Sequence, residues 1–241
     1  RWPREFYGCT PLNGEDYQKS SARQLLDQAR AIRAIGGVGG LISADRIFSL
    51  LEREFETSDI RDEVVKSVRP KGVPRLDAHQ ILLDLSASRS GKVRLVTTNF
   101  DLLFEASNAE LPSFGPPYLP DPKDNDFGGI VHLHGRADYD YNGPRVSEEF
   151  IVSSADFGRA YLADGWATGF MRSLLERFVI VFVGYTADDP PMRYLLEALN
   201  THPGSRSQLY AFQSGTDQDT LAMWEHRGVR DLPRAFSSIC D

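Results

Sequence analysis

The run "FVIVFVG", Phe178 to Gly184, constrains the fold of this chain more than any other segment. Every position before the glycine is apolar, which predicts a short strand that is buried on both faces, as in a parallel sheet. The run is far shorter than the roughly 20 residues of a membrane-spanning helix. We therefore expect an internal strand of an α/β protein and no membrane association.

Other predicted strands alternate with predicted helices along the chain. This alternation predicts an α/β fold with a parallel sheet and helices on both of its faces. The predicted strands are "KVRLVTT" (92–98), "GIVHLHG" (129–135), "EFIVS" (149–153) and "SQLYAFQ" (207–213), with a long loop at 108–128. The predicted helices include 18–35, 44–55, 77–88, 101–106, 155–163, 166–177 and 188–200.

Residues 1–76 are predicted to form a mainly helical part that is packed on, or inserted in, a sheet domain at 77–241. Ser43 can cap the helix "ADRIFSLLEREF", whose apolar face suits core packing, a lid or an assembly surface. The stretch "GGVGG" (36–40) fails the G-x-G-x-x-G spacing, because Ile42 takes the third glycine position. We interpret it as a hinge or loop.

Composition and charge narrow the function classes. The net charge of −7 and the pI of about 5.3 disfavour direct binding to nucleic acid or to anionic membranes. Two cysteines, Cys9 and Cys240, are too few for a zinc ribbon and suit a reducing cytoplasm. We expect a cytoplasmic protein without a metal site.

Small polar groups follow three of the predicted strands. In an open parallel sheet, ligands bind beyond the carboxyl ends of the strands, so these groups are expected to gather at one edge. They are Thr97, Thr98, Asn99 and Asp101 after the first strand, His132, His134 and Gly135 in the second, and Gly184, Tyr185, Thr186, Asp188 and Asp189 after the third.

Each set also has a purely structural interpretation. Asn99 or Asp101 can cap the helix that follows, and acidic residues at 188–189 suit a helix start. His132 and His134 alternate on the predicted strand and would share a face, where a structural role is common. Gly184 can serve close packing alone.

In combination, these segments resemble the sirtuin-like superfamily, and more closely its bacterial NAD-consuming branch in anti-phage defence proteins. The resemblance rests on "LVTTNFD" (95–101), "HLHG" (132–135) and "FVGYTADDPPMRYLLEAL" (182–199), and it covers roughly residues 77–230. It implies a Rossmann-like parallel sheet with a smaller helical module. NAD would lie across the carboxyl edge of that sheet.

The resemblance also implies roles for individual residues. Asn99 corresponds to the asparagine near the nicotinamide ribose, and His134 to the catalytic base. Further contacts to NAD are implied for Thr97, Thr98, Asp101, Gly135, Gly184, Tyr185, Thr186 and Asp189.

Two departures from the family pattern bear on activity. The sequence lacks the glycine motif G-A-G-x-S that cradles the pyrophosphate, and we expect that the chain starts downstream of it or that the domain is degenerate. It also lacks the four zinc-binding cysteines of protein deacetylases, which argues against deacetylation.

The activity that the resemblance implies is hydrolysis of NAD+ to nicotinamide and ADP-ribose, as the toxic effector of an abortive-infection system. NAD+ would be a substrate, with no metal required. The alternatives are a module that senses NAD or ADP-ribose and, less favoured, a zinc-free deacylase. Expected partners are further copies of the chain or a sensor: an Argonaute-like protein, a translocase-like ATPase or another domain of the same polypeptide.

Overall fold

A computed structural model describes residues 24, 27, 43–185, 190–200, 209–212 and 218–232 of the chain. Helices and parallel strands alternate along them, which confirms the predicted α/β class. The helices are α1 (Ala44–Leu51), α2 (Thr57–Val68), α3 (Asp77–Ser86), α4 (Leu103–Ser107), α5 (Ser154–Gly158), a π-helical turn (Arg159–Ala163), α6 (Trp166–Arg177), α7 (Pro190–Asn200) and α8 (Gln218–His226). The strands are β1 (Arg94–Thr97), β2 (Ser113–Phe114), β3 (Gly129–His132), β4 (Ile180–Val183), β5 (Leu209–Phe212) and β6 (Arg230–Asp231).

The chain divides into two compact units, each with a three-stranded sheet. Of the described residues, the first unit contains 24, 27, 43–120 and Gly128–Ala160, and the second contains Asp121–Phe127 and those from Tyr161 onward. The first sheet has the order β1-β3-β2 and the second the order β4-β5-β6, and all pairs are parallel. The predicted division into a helical part before residue 77 and a sheet core after it stays a prediction.

Strand β3 is the centre of the first sheet. Its four residues are all buried, and it pairs with β1 from Arg94↔Gly129 to Thr97↔His132. Ile130 packs with Leu83 of α3 and Phe104 of α4 in one apolar cluster. This packing fixes the two helices that flank β1 along the chain.

Helix α1 buries the apolar face that its sequence predicts. Ile47 and Leu51 of α1, and Phe55 in the turn after it, recur at four-residue spacing and pack with Ile60 of α2 in a buried cluster. The described half of the N-terminal helical part therefore uses this face for core packing. Ser43 occupies the N-cap position, but its side chain makes no capping hydrogen bond, which corrects the predicted cap.

The segment 149–153 is not a strand, contrary to the prediction. Phe150, Ile151 and Val152 are buried, so the apolar pattern reflects core packing of a segment that belongs to neither sheet. Ser153 instead begins α5 with a capping box, in which its side chain and that of Asp156 each accept a backbone N–H of the other.

Three further expectations differ from the structure. The predicted loop at 108–128 contains β2, which pairs with β3. The strand at 129–135 ends at His132, so His134 does not alternate with His132 on one strand. Strand β4 is not buried on both faces, because Val181 is 42% exposed.

The predicted helix at 18–35, apart from residues 24 and 27, and the "GGVGG" stretch lie outside the described residues. Among the helices that the structure does describe, none is both long enough and apolar enough to cross a membrane.

Candidate active site

The carboxyl ends of β1 and β3 are neighbours, as predicted. Thr97 is the register partner of His132, and the Leu133 backbone N–H donates to the Thr97 carbonyl at 2.8 Å. The polar residues that follow the two strands therefore start from adjacent points of one sheet. The third predicted set follows β4 in the second unit, so its approach to the other two stays a prediction.

The backbone of the loop after β1 is held close to Asn99. The Asn99 N–H donates to the Thr97 side-chain oxygen at 3.1 Å, and the Asn99 carbonyl accepts from Nδ1 of His132 at 2.9 Å. One residue further, the Phe100 carbonyl accepts from the Ala137 N–H at 2.8 Å. The Asn99 residue itself is exposed, whereas Thr97 is buried and Thr98 is half-buried. The fold thus offers an accessible carboxamide on a fixed backbone.

The same loop is held again where α4 begins. Asp101 Oδ1 accepts from the Leu103 N–H at 3.1 Å, and the Tyr141 hydroxyl accepts from the Leu102 N–H at 2.8 Å. These two bonds satisfy amides that a helix start leaves without intrahelical partners. Asp101 therefore performs the capping role that its position allows.

His132 is fully buried and contacts hydrogen-bond acceptors with both ring nitrogens. Besides the Asn99 carbonyl, its Nε2 lies 2.7 Å from Oε1 of Glu105 on α4. Burial raises the pKa of Glu105, but the hydrogen bond and charge of His132, together with a hydrogen bond from Ser113, outweigh it and lower that pKa. A carbonyl only accepts, so Nδ1 of His132 donates to that of Asn99, while Nε2 faces the Glu105 carboxylate.

The His132–Glu105 pair is part of a larger buried network. The Ser113 hydroxyl bonds to Glu105 and accepts from Arg136. Arg136, only 5% exposed, also donates to both oxygens of Glu148, with a shortest distance of 2.8 Å. We call these five residues, His132, Glu105, Ser113, Arg136 and Glu148, the polar network. Because its charges are paired, it fixes the orientation of β3, α4 and the Asn99 carbonyl.

His134 lies in a very different environment. It is 4% exposed, and its ring meets that of Phe157 edge to face at 5.0 Å between centroids. Burial lowers the pKa of His134 to about 4, from an ordinary value of 6.5. The ring is therefore neutral near pH 7 and can accept a hydrogen bond or a proton.

Gly135 has a structural reason to be glycine. Its φ is +86°, a conformation that side chains strain, and an added Cβ would lie 2.2 Å from the Glu149 carbonyl oxygen. This close approach turns the chain after His134 and lets the His134 carbonyl accept from the Ile151 N–H at 2.9 Å. The requirement for glycine here holds with or without a ligand.

In the second unit, the residues after β4 are described only in part. Gly184 has a φ of +62°, and no described atom lies within 4 Å of an added Cβ, so the turn rather than close packing requires glycine. The ring of Tyr185 lies 6.0 Å from that of Phe182. Thr186, Asp188 and Asp189 lie outside the described residues.

The sequence patterns missed most of the polar network and Tyr141. Two signals were present: Arg136 directly follows the "HLHG" segment, and Glu105 lies in the helix after "TTNFD". Neither signal shows which residue pairs with the charged side chain of Arg136 or of Glu105. In the described part of the chain, no three or more His, Cys, Asp or Glu side chains are grouped so that they could hold a metal ion.

Comparison with known proteins assigns the family. The profile of the SIR2-like domain matches residues 93–232, more than half of the chain and all six strands. The chain belongs to the SIR2-like family. SIR2-like domains use NAD+, so this membership indicates an NAD-related activity and supports the Rossmann-like character of the fold.

One curated relative is "Uncharacterized protein y4cA" of Sinorhizobium fredii (strain NBRC 101917 / NGR234). It is 34% identical over an alignment of 201 residues, and the match covers 76% of this chain. The match spans only 16% of the relative's length. The chain thus resembles one portion of a much longer protein.

Proposed function

We propose that this SIR2-like domain hydrolyses NAD+ to nicotinamide and ADP-ribose. Two observations support the proposal: Asn99 is exposed on a loop that follows β1, and the neutral, buried His134 follows the neighbouring strand β3. Family membership supplies the NAD+ context. The specific reaction is inferred from what these two side chains can do chemically.

The reaction breaks the bond between C1′ of the ribose and the pyridinium nitrogen of nicotinamide. Both bonding electrons leave with the nitrogen, so nicotinamide departs neutral and needs no general acid. Positive charge develops on the ribose as in glycoside cleavage, and a water oxygen then attacks C1′ and releases a proton. The protein must hold the ribose, position this water and avoid adding positive charge beside it.

Asn99 suits the positioning task. Its carboxamide can accept from a ribose hydroxyl and donate to the attacking water at the same time. Because the Asn99 carbonyl and N–H are both hydrogen-bonded, the side chain starts from a backbone that does not need to be ordered when substrate binds. Preorganisation of this kind lowers the cost of reaching the reactive geometry.

His134 suits the role of hydrogen-bond acceptor for a ribose hydroxyl or for the water. With a pKa of about 4 it carries no charge that would repel the developing cation. A low pKa also makes it a weak base at pH 7. We therefore assign two roles to His134. It orients a ribose hydroxyl or the water by accepting a hydrogen bond, and it accepts the proton that the water releases as it adds to C1′.

The remaining candidate contacts belong to the same proposal. Thr97, Thr98, Asp101 and Gly135 in the first unit, and Gly184, Tyr185, Thr186 and Asp189 after β4, would line the NAD+ site. Thr97, Asp101 and Gly135 already have structural duties, so we expect them to shape the site more than to contact the reacting atoms.

The test is nicotinamide release from NAD+ by the full-length protein and by its Asn99→Ala and His134→Gln variants. We expect each variant to lose about 10²–10⁴-fold in turnover, the usual contribution of such groups. Asn142→Ala and His226→Gln, which replace exposed residues of the same types, serve as matched controls. Thermal melting checks that every variant is folded.

Full turnover in both site variants would refute the assignment. Tight NAD+ binding without nicotinamide release by the wild-type protein would instead favour an NAD or ADP-ribose sensor. Transfer of an acyl group from an acyl-lysine peptide to ADP-ribose would favour the deacylase.

We further propose that the activity serves as the toxic effector of an anti-phage system, because unregulated NAD+ loss harms the host cell. Such an enzyme must be restrained until a trigger arrives. Control by self-assembly or by a sensor protein or domain meets this need. Cellular NAD+ that stays constant during phage infection, with the protein present, would contradict this role.

A further inference from the structure

A cavity of about 490 Å³ lies in the first unit, beside α4. Among the described residues that line it, none is a residue proposed above to contact NAD+. Its walls come from the α2–α3 connection, from α4 and from the loop after Gly135. The volume lies within the range of small-molecule sites, which usually combine apolar walls with a few polar groups.

One of those polar groups is a carboxylate oxygen without a partner. Oε1 of Glu105 bonds to His132 and Ser113, but Oε2 is buried and has no hydrogen-bond partner. Buried polar atoms are nearly always satisfied, because an unmet one costs the full desolvation of that atom. Glu105 lines the cavity, so a bound donor such as a hydroxyl group would satisfy Oε2 once the carboxylate shifts toward it.

A second polar group is the hydroxyl of Tyr141, which also lines the cavity. Its oxygen accepts from the Leu102 N–H at 2.8 Å. A tyrosine hydroxyl can accept and donate at once, so its proton can be given to a ligand oxygen. The cavity therefore presents a donor to a hydroxylated ligand, beside the carboxylate whose Oε2 lacks a partner.

The third group is Arg145, a partly exposed guanidinium that hydrogen-bonds to Tyr139 and lies near Glu148. Its Nε lies 3.6 Å from Oε1 of Glu148, beyond hydrogen-bond range, because Arg136 holds that carboxylate at 2.8 Å. The Arg145 guanidinium lies over the ring of Tyr139 at 5.0 Å. Its donors can bind an anionic group, and a guanidinium suits a phosphate especially well.

We propose that this cavity is a binding site for a small hydroxylated anion of the sugar-phosphate class. A sugar hydroxyl donates to Oε2 of Glu105, a sugar oxygen accepts from Tyr141, and the phosphate pairs with Arg145. This site is additional to the proposed NAD+ hydrolysis and does not depend on it.

The probe is ribose 5-phosphate, titrated into the full-length protein by calorimetry, with ribose and inorganic phosphate titrated in parallel. We expect saturable binding of ribose 5-phosphate that is at least about tenfold stronger than that of either fragment, since both the hydroxyl and the anion contacts contribute. Equal binding of inorganic phosphate, or no binding of ribose 5-phosphate, would overturn the proposal.

Variants locate the binding. Ala106→Phe adds a ring at an exposed position of α4 that lines the cavity, and it should abolish binding. Ala78→Phe, the same change at an exposed position of α3 outside the lining, is its control. Arg145→Gln should weaken ribose 5-phosphate about tenfold, whereas Arg53→Gln, an exposed arginine of the same unit, should not.

One more variant separates this cavity from the candidate NAD+ site. Asn99→Ala should bind ribose 5-phosphate as the wild type does. Loss of binding in folded Asn99→Ala, or unchanged binding in folded Ala106→Phe, would overturn the assignment to this cavity.

Discussion

His132 and His134 are two residues apart and both buried, yet their surroundings are opposite in chemistry. His132 lies among acceptors and charges, with the Asn99 carbonyl on one side and Glu105 on the other. His134 packs against Phe157, and burial lowers its pKa to about 4. The same residue type thus donates at one position and can accept at the other. Because His132 is already engaged by these two groups, His134 is the better candidate for a catalytic group.

The largest expected loss of unfolding free energy comes from removing Glu105, the carboxylate beside His132. Glu105→Leu leaves the ring of His132 and the guanidinium of Arg136 without a carboxylate that both approach. Breaking a buried pair in this way typically costs about 3–5 kcal/mol of unfolding free energy. Denaturant unfolding measures it, and Glu110→Leu on the exposed surface is the control.

A loss below about 1 kcal/mol, the range of an exposed ion pair, would show that the polar network adds little. It would also remove the contrast between the two histidines, because His132 would then be as weakly held as a surface residue.

The next expected effect is on the pH dependence of stability, which tests whether burial keeps His134 neutral. Between the folded pKa of about 4 and the ordinary value of 6.5, the unfolded state binds more protons than the folded state. The stability from a neutral His134 is therefore complete above pH 6.5 and is lost as the pH falls toward 4. At about 1.4 kcal/mol per pKa unit, the loss is about 3 kcal/mol.

The measurement is the unfolding free energy of wild type and His134→Gln at several pH values from 7 to 4. The difference between the two proteins should shift by about 3 kcal/mol in favour of the variant as the pH falls. His226→Gln controls for removal of an exposed histidine. A constant difference across the range would mean that His134 is not held neutral by the fold.

The contrast between the histidines also shows what sequence patterns can supply. Apolar runs and the turn residues after them placed Thr97–Asp101 and His132–Gly135 at the carboxyl ends of two strands, since both signals are local along the chain. The polar network joins Glu105, Ser113, Arg136 and Glu148 over many intervening residues. The sequence does not show which residue a charged side chain will contact. Neither the burial nor the pKa of these charged side chains could therefore be predicted from it.

Local sequence patterns also gave a wrong prediction where apolar residues are buried without forming a strand. Phe150, Ile151 and Val152 have the composition of a strand, yet Phe150 and Val152 pack with Val64 and Val65 of α2, and the segment leads into a helix cap. Conversely, β2 has only two residues and sits in a stretch rich in turn formers. Its pairing with β3 depends on the fold rather than on its own composition.

The smallest effect concerns Asp101, which follows the loop that His132 holds. Its cap on the Leu103 N–H predicts that Asp101→Ala loses about 1 kcal/mol of unfolding free energy. Asp101→Asn keeps an oxygen that can accept the same hydrogen bond, so its stability should stay close to wild type. Denaturant unfolding of the three proteins measures both effects.

Nicotinamide release then separates capping from contact with the substrate. If Asp101 only fixes the loop, Asp101→Asn should turn over NAD+ within about twofold of wild type, because the backbone of Asn99 is still held by Thr97 and His132. A stable Asp101→Asn variant with a large loss of turnover would mean that the carboxylate itself contacts the ribose. Asp101 would then accept hydrogen bonds from the substrate together with His134, and capping the helix would be the less important of its two roles.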